Sequence, residues 1–345
     1  MTLKSSRIRG LMLGLGLLVL LEGVLRVAVP ESSVLFAWEH PDGVIKLMGN
    51  SVWVRESSEQ SGNDGPYRFT IQTNAQGLRD AEDHPAAKPA GTDRYLALGD
   101  SWVFGTSVTQ QSTVSERLET VLTQATGRET ILMNAGIPGG SAFEMLARWT
   151  ELRDQYELTG VVLGIPHNAG RQREMAEIRN AMFHPTAGAP YVNVRTYLVL
   201  RHLIAPFTRP RYADSTVNDP MGDESMVSDL TTIITDARSR GLTVTVIEDP
   251  GHMNDALGRP RVLNRRWRAE LEPLGAVFAG HALNTRDCWG FIDLGHPGES
   301  GALAIATVVG SAMVKGASIP GLQEQPRCAD VEGAGPGKPG WPVDG

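Results

Sequence analysis

From residue 94 onward, apolar residues gather in short unbroken runs separated by longer stretches of helical periodicity. The runs "YLALG", "TILMNAG", "GVVLGIP" and "LTVTVIE" read as strands buried on both faces, because a strand with one wet face would alternate apolar and polar positions. Between them the pattern predicts a helix around residues 112 to 124, another over "SAFEMLARWTELRDQ", and a third near residues 224 to 240. An amphipathic stretch "NRRWRAELEPLGAVF", the segment "FIDLGHPGES" and a last helix, "GALAIATVVGSAMV", follow. Strands alternating with helices predict an α/β fold with a parallel sheet covered on both faces. Residues 169 to 221 are less regular: "RTYLVLRHLIAPF" suits a helix packed on the core, within a lid, an insertion or the wall of a substrate cleft.

The chain before this body has a different character. Lys4, Arg7 and Arg9 precede "GLMLGLGLLVLLEGVLRVAV", whose only charges, Glu22 and Arg26, stand four residues apart and can pair on a helix. Residues 1 to 30 therefore read as a signal anchor, basic end inside and body outside, or as a cleaved signal peptide. An anchor is favoured because Arg26 spoils a small-residue cleavage site at Ala28. Residues 31 to 93 form an irregular membrane-proximal extension with one strand, "YRFTIQT", closed by "NAQG". The catalytic body runs from 94 to 320, and residues 321 to 345 are a proline- and glycine-rich tail of flexible composition.

Composition narrows the class. With 41% hydrophobic and 21% charged residues among 345, the chain can bury a sizeable core, and a net charge of -7 offers no basic face to nucleic acid. Cys288 and Cys328 are its only cysteines, and export would allow them one disulfide or leave two buried thiols. His40, His84, His184, His202 and His281 show no metal-ligand spacing.

The ends of the predicted strands carry candidate chemistry. In an open α/β sheet, ligands sit beyond the carboxyl ends of the strands, and Ser101 of "GDSW" is delivered there by the first strand. Cleaving an ester with a serine requires an imidazole base, a carboxylate that orients it, and donors for the oxyanion. Asp293 and His296 in "DLGHPG" can share one loop, the carboxylate holding the tautomer that leaves the other nitrogen free for Ser101. Gly139 in "NAGIPGG" can offer a backbone N–H at close approach, and Asn168 in "GIPHN" an uncharged amide. With the Ser101 amide these make three donors, of a kind whose loss costs about 3 to 4 kcal/mol of transition-state stabilisation. A second pair, Asp249 and His252 in "VIEDPGHMND", has the same spacing; the later pair is preferred because its loop feeds the final helix.

The blocks "GDSW", "NAGIPGG", "GIPHN" and "DLGH", in this order over residues 94 to 315, resemble the SGNH hydrolases, also called the GDSL esterase/lipase family. The "TNAQGLRD" stretch ahead of them is similar to the lead-in of membrane-anchored bacterial members. The resemblance implies a three-layer α/β/α flavodoxin-like fold, Ser101 as nucleophile, His296 as base supported by Asp293, and an oxyanion hole of Ser101, Gly139 and Asn168. It implies no metal and no organic cofactor. Ala169 follows Asn168 where the family often has aspartate, and Trp102 follows Ser101 where a leucine- or phenylalanine-type residue is common. The α/β-hydrolase elbow G-x-S-x-G does not fit, since position 103 is Val.

The expectation is a membrane-anchored, extracytoplasmic serine esterase acting on a small acyl ester or an acylated glycan. An O-acyltransferase on a cell-envelope glycan, and a binding protein on the same fold, are the alternatives. Arg171 and Arg173 would favour an anionic or glycan substrate.

Overall fold

The computed structural model describes residues 2–28, 38–39, 45–47, 49–57, 67–166, 196, 220–247, 262–279 and 296–314. Helix α1 (Thr2–Ala28) is followed by two antiparallel ribbons, β1 (Trp38–Glu39) with β2 (Ile45–Lys46) and β3 (Val52–Ser57) with β4 (Tyr67–Gln72). The main body then runs β5 (Asp93–Leu98), α2 (Ser101–Phe104), α3 (Val114–Thr126), β6 (Thr130–Asn134), α4 (Ala142–Leu152) and β7 (Gly160–Gly164). It closes with α5 (Pro220–Ser239), β8 (Thr243–Ile247), α6 (Val262–Leu271), β9 (Val277–Ala279) and α7 (Glu299–Met313).

Strands β5 to β9 form one parallel sheet in the order β6-β5-β7-β8-β9. Counted within the sheet this is the 2-1-3-4-5 order of flavodoxin-like folds, with its switch point between β5 and β7. The expected three layers are present. Leu96, Leu98, Met133, Val161, Leu163, Val244 and Val246 point to one face, where Met145 and Trp149 of α4, Leu230 and Ile234 of α5, and Trp267 of α6 cover them. Ala97, Leu132, Val162 and Ile247 point to the other, under Leu118 and Leu122 of α3 and Ile305 and Val309 of α7. Burial on both faces explains why these strands have no polar alternation.

Helix α1 leaves Met12, Leu13, Val19 and Val27 exposed, and Arg26 Nε donates to Glu22 Oε1 at 2.8 Å. Among the described residues no helix is long and apolar enough to cross a membrane. The bilayer-spanning reading of residues 1 to 30 therefore finds no support among the described residues. Residues 321 to 345, Cys288 and Cys328, and all of 169 to 221 except 196 and 220–221 lie outside the described residues.

The extension packs onto the body in its last part. Asn74 Oδ1 accepts the amides of Gln76 and Leu78, each at 3.0 Å, closing a turn at Gly77. Leu78 enters the main core, and the Arg148 guanidinium of α4 donates to the Gln76 carbonyl at 2.7 Å.

Edge strand β6 keeps its outward N–H groups out of reach of other strands by giving each a side-chain acceptor. Thr130 N donates to Thr123 Oγ1 at 3.1 Å, Leu132 N to Glu119 Oε1 at 2.5 Å, and Asn134 N to the Asp80 carboxylate at 3.3 and 3.4 Å. Thr123 and Glu119 lie one turn apart on α3, so one helix serves two of these amides. Burial pushes the Glu119 carboxyl up to about 8, against the Leu132 amide that lowers it, with nearby Glu116 and Asp80 adding to the rise. The folded protein thus holds a proton that the unfolded chain releases near 4.5, and stability drains away as pH climbs from about 4.5 to about 8. Glu119→Gln keeps an oxygen for Leu132 and removes the titration. Urea unfolding across that window is expected to show a fall on the order of a few kcal/mol in the wild type that is absent from the variant.

Candidate active site

The buried run of β5 ends at Leu98, and Gly99 and Asp100 lead directly into α2. Asp100 is fully buried, and its carboxylate accepts the Trp102 amide at 3.1 Å, capping the helix at its start. The helix lasts a single turn because Gly105 turns left-handed at φ 79°, where a Cβ would meet the Thr113 side chain at 2.7 Å. Trp102, Val103 and Phe104 are buried, while Ser101 is partly accessible at the head of the turn.

Three strand ends meet this helix through glycines. A Cβ on Gly99 would come within 2.3 Å of Val103 Cγ2, one on Gly164 equally near it and 2.6 Å from Trp102 Cζ2, and one on Gly136 within 2.5 Å of the Phe104 amide nitrogen. The Trp102 indole Nε1 also donates to the Ile165 carbonyl at 3.2 Å, pegging α2 to the segment after β7. The indole thus adds a directed bond to its packing.

His296 precedes α7, whose N-cap is Gly298. His296 Nε2 lies 2.8 Å from Ser101 Oγ, joining residues 195 apart in the chain. With Nε2 as acceptor, the serine hydroxyl donates to the imidazole, the arrangement a general base requires. The same end of the sheet is drawn together at Glu299, whose Oε1 accepts from Thr109 Oγ1 at 3.3 Å.

Gly139 lies in the connection from β6 to α4, half-buried, with φ +67°. That connection is strung along the backbone leading to Ser101: Ala135 N donates to Ala97 O at 2.8 Å and Ile137 N to Gly99 O at 3.0 Å. Gly140 N donates to Ile137 O at 2.8 Å, and the following helix starts with a capping box in which Ser141 N donates to Glu144 Oε2 at 2.8 Å. The loop is therefore fixed at both ends.

Behind it lies a buried polar group that no strand-end motif announced. Asp80 Oδ2 is 2.8 Å from His84 Nε2, and burial pushes the Asp80 carboxyl up although His84 and the Asn134 amide pull it down. Arg79 is fully buried beneath the Phe104 ring, 5.4 Å from its centroid, and donates to Gln110 Oε1 at 2.7 Å. Burial draws its guanidinium down to about 10, so it stays charged at neutral pH. The only hint of these partners in the sequence is the charged pair closing "TNAQGLRD" and the asparagine ending an apolar strand.

The structure thus brings Ser101 and His296 together and seats Gly139 in a loop hydrogen-bonded to the residues just before Ser101. Asp293, Asn168, Arg171 and Arg173, and the rival pair Asp249 and His252, lie outside the described residues. Among the described residues no group of three or more His, Cys, Asp or Glu could hold a metal ion.

No family model matches the chain, and no curated protein matches it. Its structural neighbours include GDSL and SGNH lipolytic hydrolases. The chain is similar to the psychrotrophic esterase EstA from Pseudoalteromonas sp., inhibited by monoethylphosphonate, at 15% identity and TM-score 0.40, over 64% of this chain and 96% of that one. It is similar to TesA at 16% identity and TM-score 0.40, over 64% and 98%. A G-D-S-L lipolytic protein from Veillonella parvula gives 13% identity and TM-score 0.39, over 64% and 97%.

At Gly136 the obstructing atoms are backbone, which cannot swing aside as a side-chain tip can. Gly136→Ala is expected to cost about 1 to 3 kcal/mol in urea unfolding, as overpacking of a filled site does.

Proposed function

We propose that the chain is a serine esterase of SGNH type. The observation that carries this reading is the 2.8 Å contact between Ser101 Oγ and His296 Nε2 at the carboxyl edge of the sheet. The switch point between β5 and β7, beside which Ser101 stands, is where open α/β sheets take their ligands.

In this reading His296 removes the hydroxyl proton as Ser101 Oγ attacks the acyl carbon of the ester. The carbonyl oxygen becomes an oxyanion, received by the N–H groups of Ser101 and Gly139 and the side-chain amide of Asn168. Collapse breaks the acyl–alcohol bond; the imidazolium returns the proton to the departing alcohol and leaves an acyl-Ser101. Water, deprotonated by His296, attacks that acyl group and releases the carboxylic acid and the free serine. Asp293 would orient the imidazole and stabilise its protonated form. The substrate class is an acyl ester, either a small molecule or an acylated glycan; if a glycan hydroxyl outruns water at the second step, the product is a transferred acyl group. The basic residues ahead of an apolar segment support work outside the cytoplasm.

The test is hydrolysis of short- and long-chain p-nitrophenyl esters by the full chain, together with mass spectrometry after a fluorophosphonate. Turnover and an adduct on Ser101 are expected, both lost in Ser101→Ala. His296→Ala and Asp293→Ala should lower kcat by about 10⁴-fold or more, and Asn168→Ala by about 10²- to 10³-fold. Asp249→Ala and His252→Ala should stay near the wild type; if they fall instead while Asp293→Ala and His296→Ala do not, the base is the earlier pair. A folded chain with neither adduct nor turnover would favour a binding role.

A further inference from the structure

We propose that Asn134 is a positioning residue that sets the Gly139 loop against the turn carrying Ser101; this rests on the esterase reading above. The side chain is fully buried at the end of β6. Its Nδ2 donates to the Val103 carbonyl of α2 at 3.0 Å, and its Oδ1 accepts the Gly136 amide at 3.1 Å. One planar amide therefore joins the helix of the nucleophile to the first residues of the loop bearing Gly139. Only this orientation of the amide works, since the reverse would set NH₂ against an N–H and oxygen against a carbonyl.

Each bond answers a local need. A one-turn helix leaves carbonyls without intrahelical partners, and that of Val103 is one of them. Gly136 has brought its backbone against Phe104, where no Cβ fits, so the donor and acceptor must both be met from the side. The main chain of Asn134 is held as firmly, its N–H on the Asp80 carboxylate and its carbonyl accepting the Arg79 amide at 2.8 Å. All of its polar groups are thereby engaged, and the side chain has no freedom to follow a displaced loop.

The consequence is geometric. The Ser101 and Gly139 amides belong to different connections of the sheet, and an oxyanion hole works only if both aim at one point. Asn134 fixes that separation directly at α2, while the Ile137–Gly99 bond fixes it at the strand end. A shift of about 1 Å at such a place can cost about 100-fold in rate without touching substrate contacts.

The experiment compares wild type, Asn134→Ala and Asn134→Asp in the full chain, by ester kinetics, by the rate of fluorophosphonate labelling of Ser101, and by circular dichroism. Asn134→Ala is expected to lower kcat and the labelling rate about 100-fold with KM within about threefold. Asn134→Asp keeps the shape, and its carboxyl can donate to the Val103 carbonyl only when protonated. The charged and titratable groups around it are Asp80 with its partner His84, Arg79 next in the chain, and Glu119 of α3, which serves the same edge of β6 and acts on Asp80 electrostatically. The ratio of the aspartate variant's kcat to that of the wild type should therefore rise as pH falls, which a residue that merely filled space would not produce. A folded Asn134→Ala with kcat within about threefold of the wild type overturns the proposal. If that variant does not fold, a flat pH ratio for Asn134→Asp overturns it instead. A folded wild type that neither turns over ester nor takes the phosphonate overturns the esterase reading, and this role with it.

Discussion

The closeness of α2 to three strand ends is the constraint on which the site depends. Gly99, Gly136 and Gly164 each stand where a Cβ would fall 2.3 to 2.5 Å from an atom of Val103 or Phe104. Removing three side chains lets a one-turn helix sink Trp102, Val103 and Phe104 into the junction of β5, β6 and β7. A helix held farther from the strand ends would carry Ser101 outward, away from His296. The conformational cost of glycine in the unfolded chain is accepted here because backbone contact is the only way to fit.

Polar satisfaction follows from the same packing. Strand β6 is an edge, and its outward amides at Thr130, Leu132 and Asn134 would otherwise invite another strand. A hydroxyl, a carboxyl and a carboxylate from Thr123, Glu119 and Asp80 close that row in turn. The last of these lies closest to the loop, so the device that seals the edge also anchors the residue bridging that loop to α2. Stability of the edge and geometry of the site thus share atoms.

Much of this could be read in the sequence, for a physical reason. Strands β5 to β8 are buried on both faces, so their apolar runs were continuous and their placement followed. Strand β9 has only three residues, two of them half-buried, too short to stand out from the amphipathic stretch that runs into it. Strand β3 lies in a stretch whose sequence reads as irregular, although the alternation of its partner β4 is plain. At the site, Ser101 and His296 were legible because a hydroxyl after an apolar run, and an imidazole before an apolar helix, are conspicuous. Asn134 was not: a polar residue ending a strand reads as an ordinary turn, and only the fold shows which carbonyl and which amide it meets.

The choice of asparagine at 134 follows from its neighbours. The position must offer one donor and one acceptor in a plane, which threonine or serine is too short to deliver to both Val103 and Gly136. Glutamate and aspartate lack the donor when ionised and would add a negative charge beside Asp80, whose own carboxyl is already pushed up by burial. A lysine or arginine lacks the acceptor. The neutral amide therefore satisfies both backbone groups without a second buried charge, and leaves Asp80 paired with His84 to hold the Asn134 main chain.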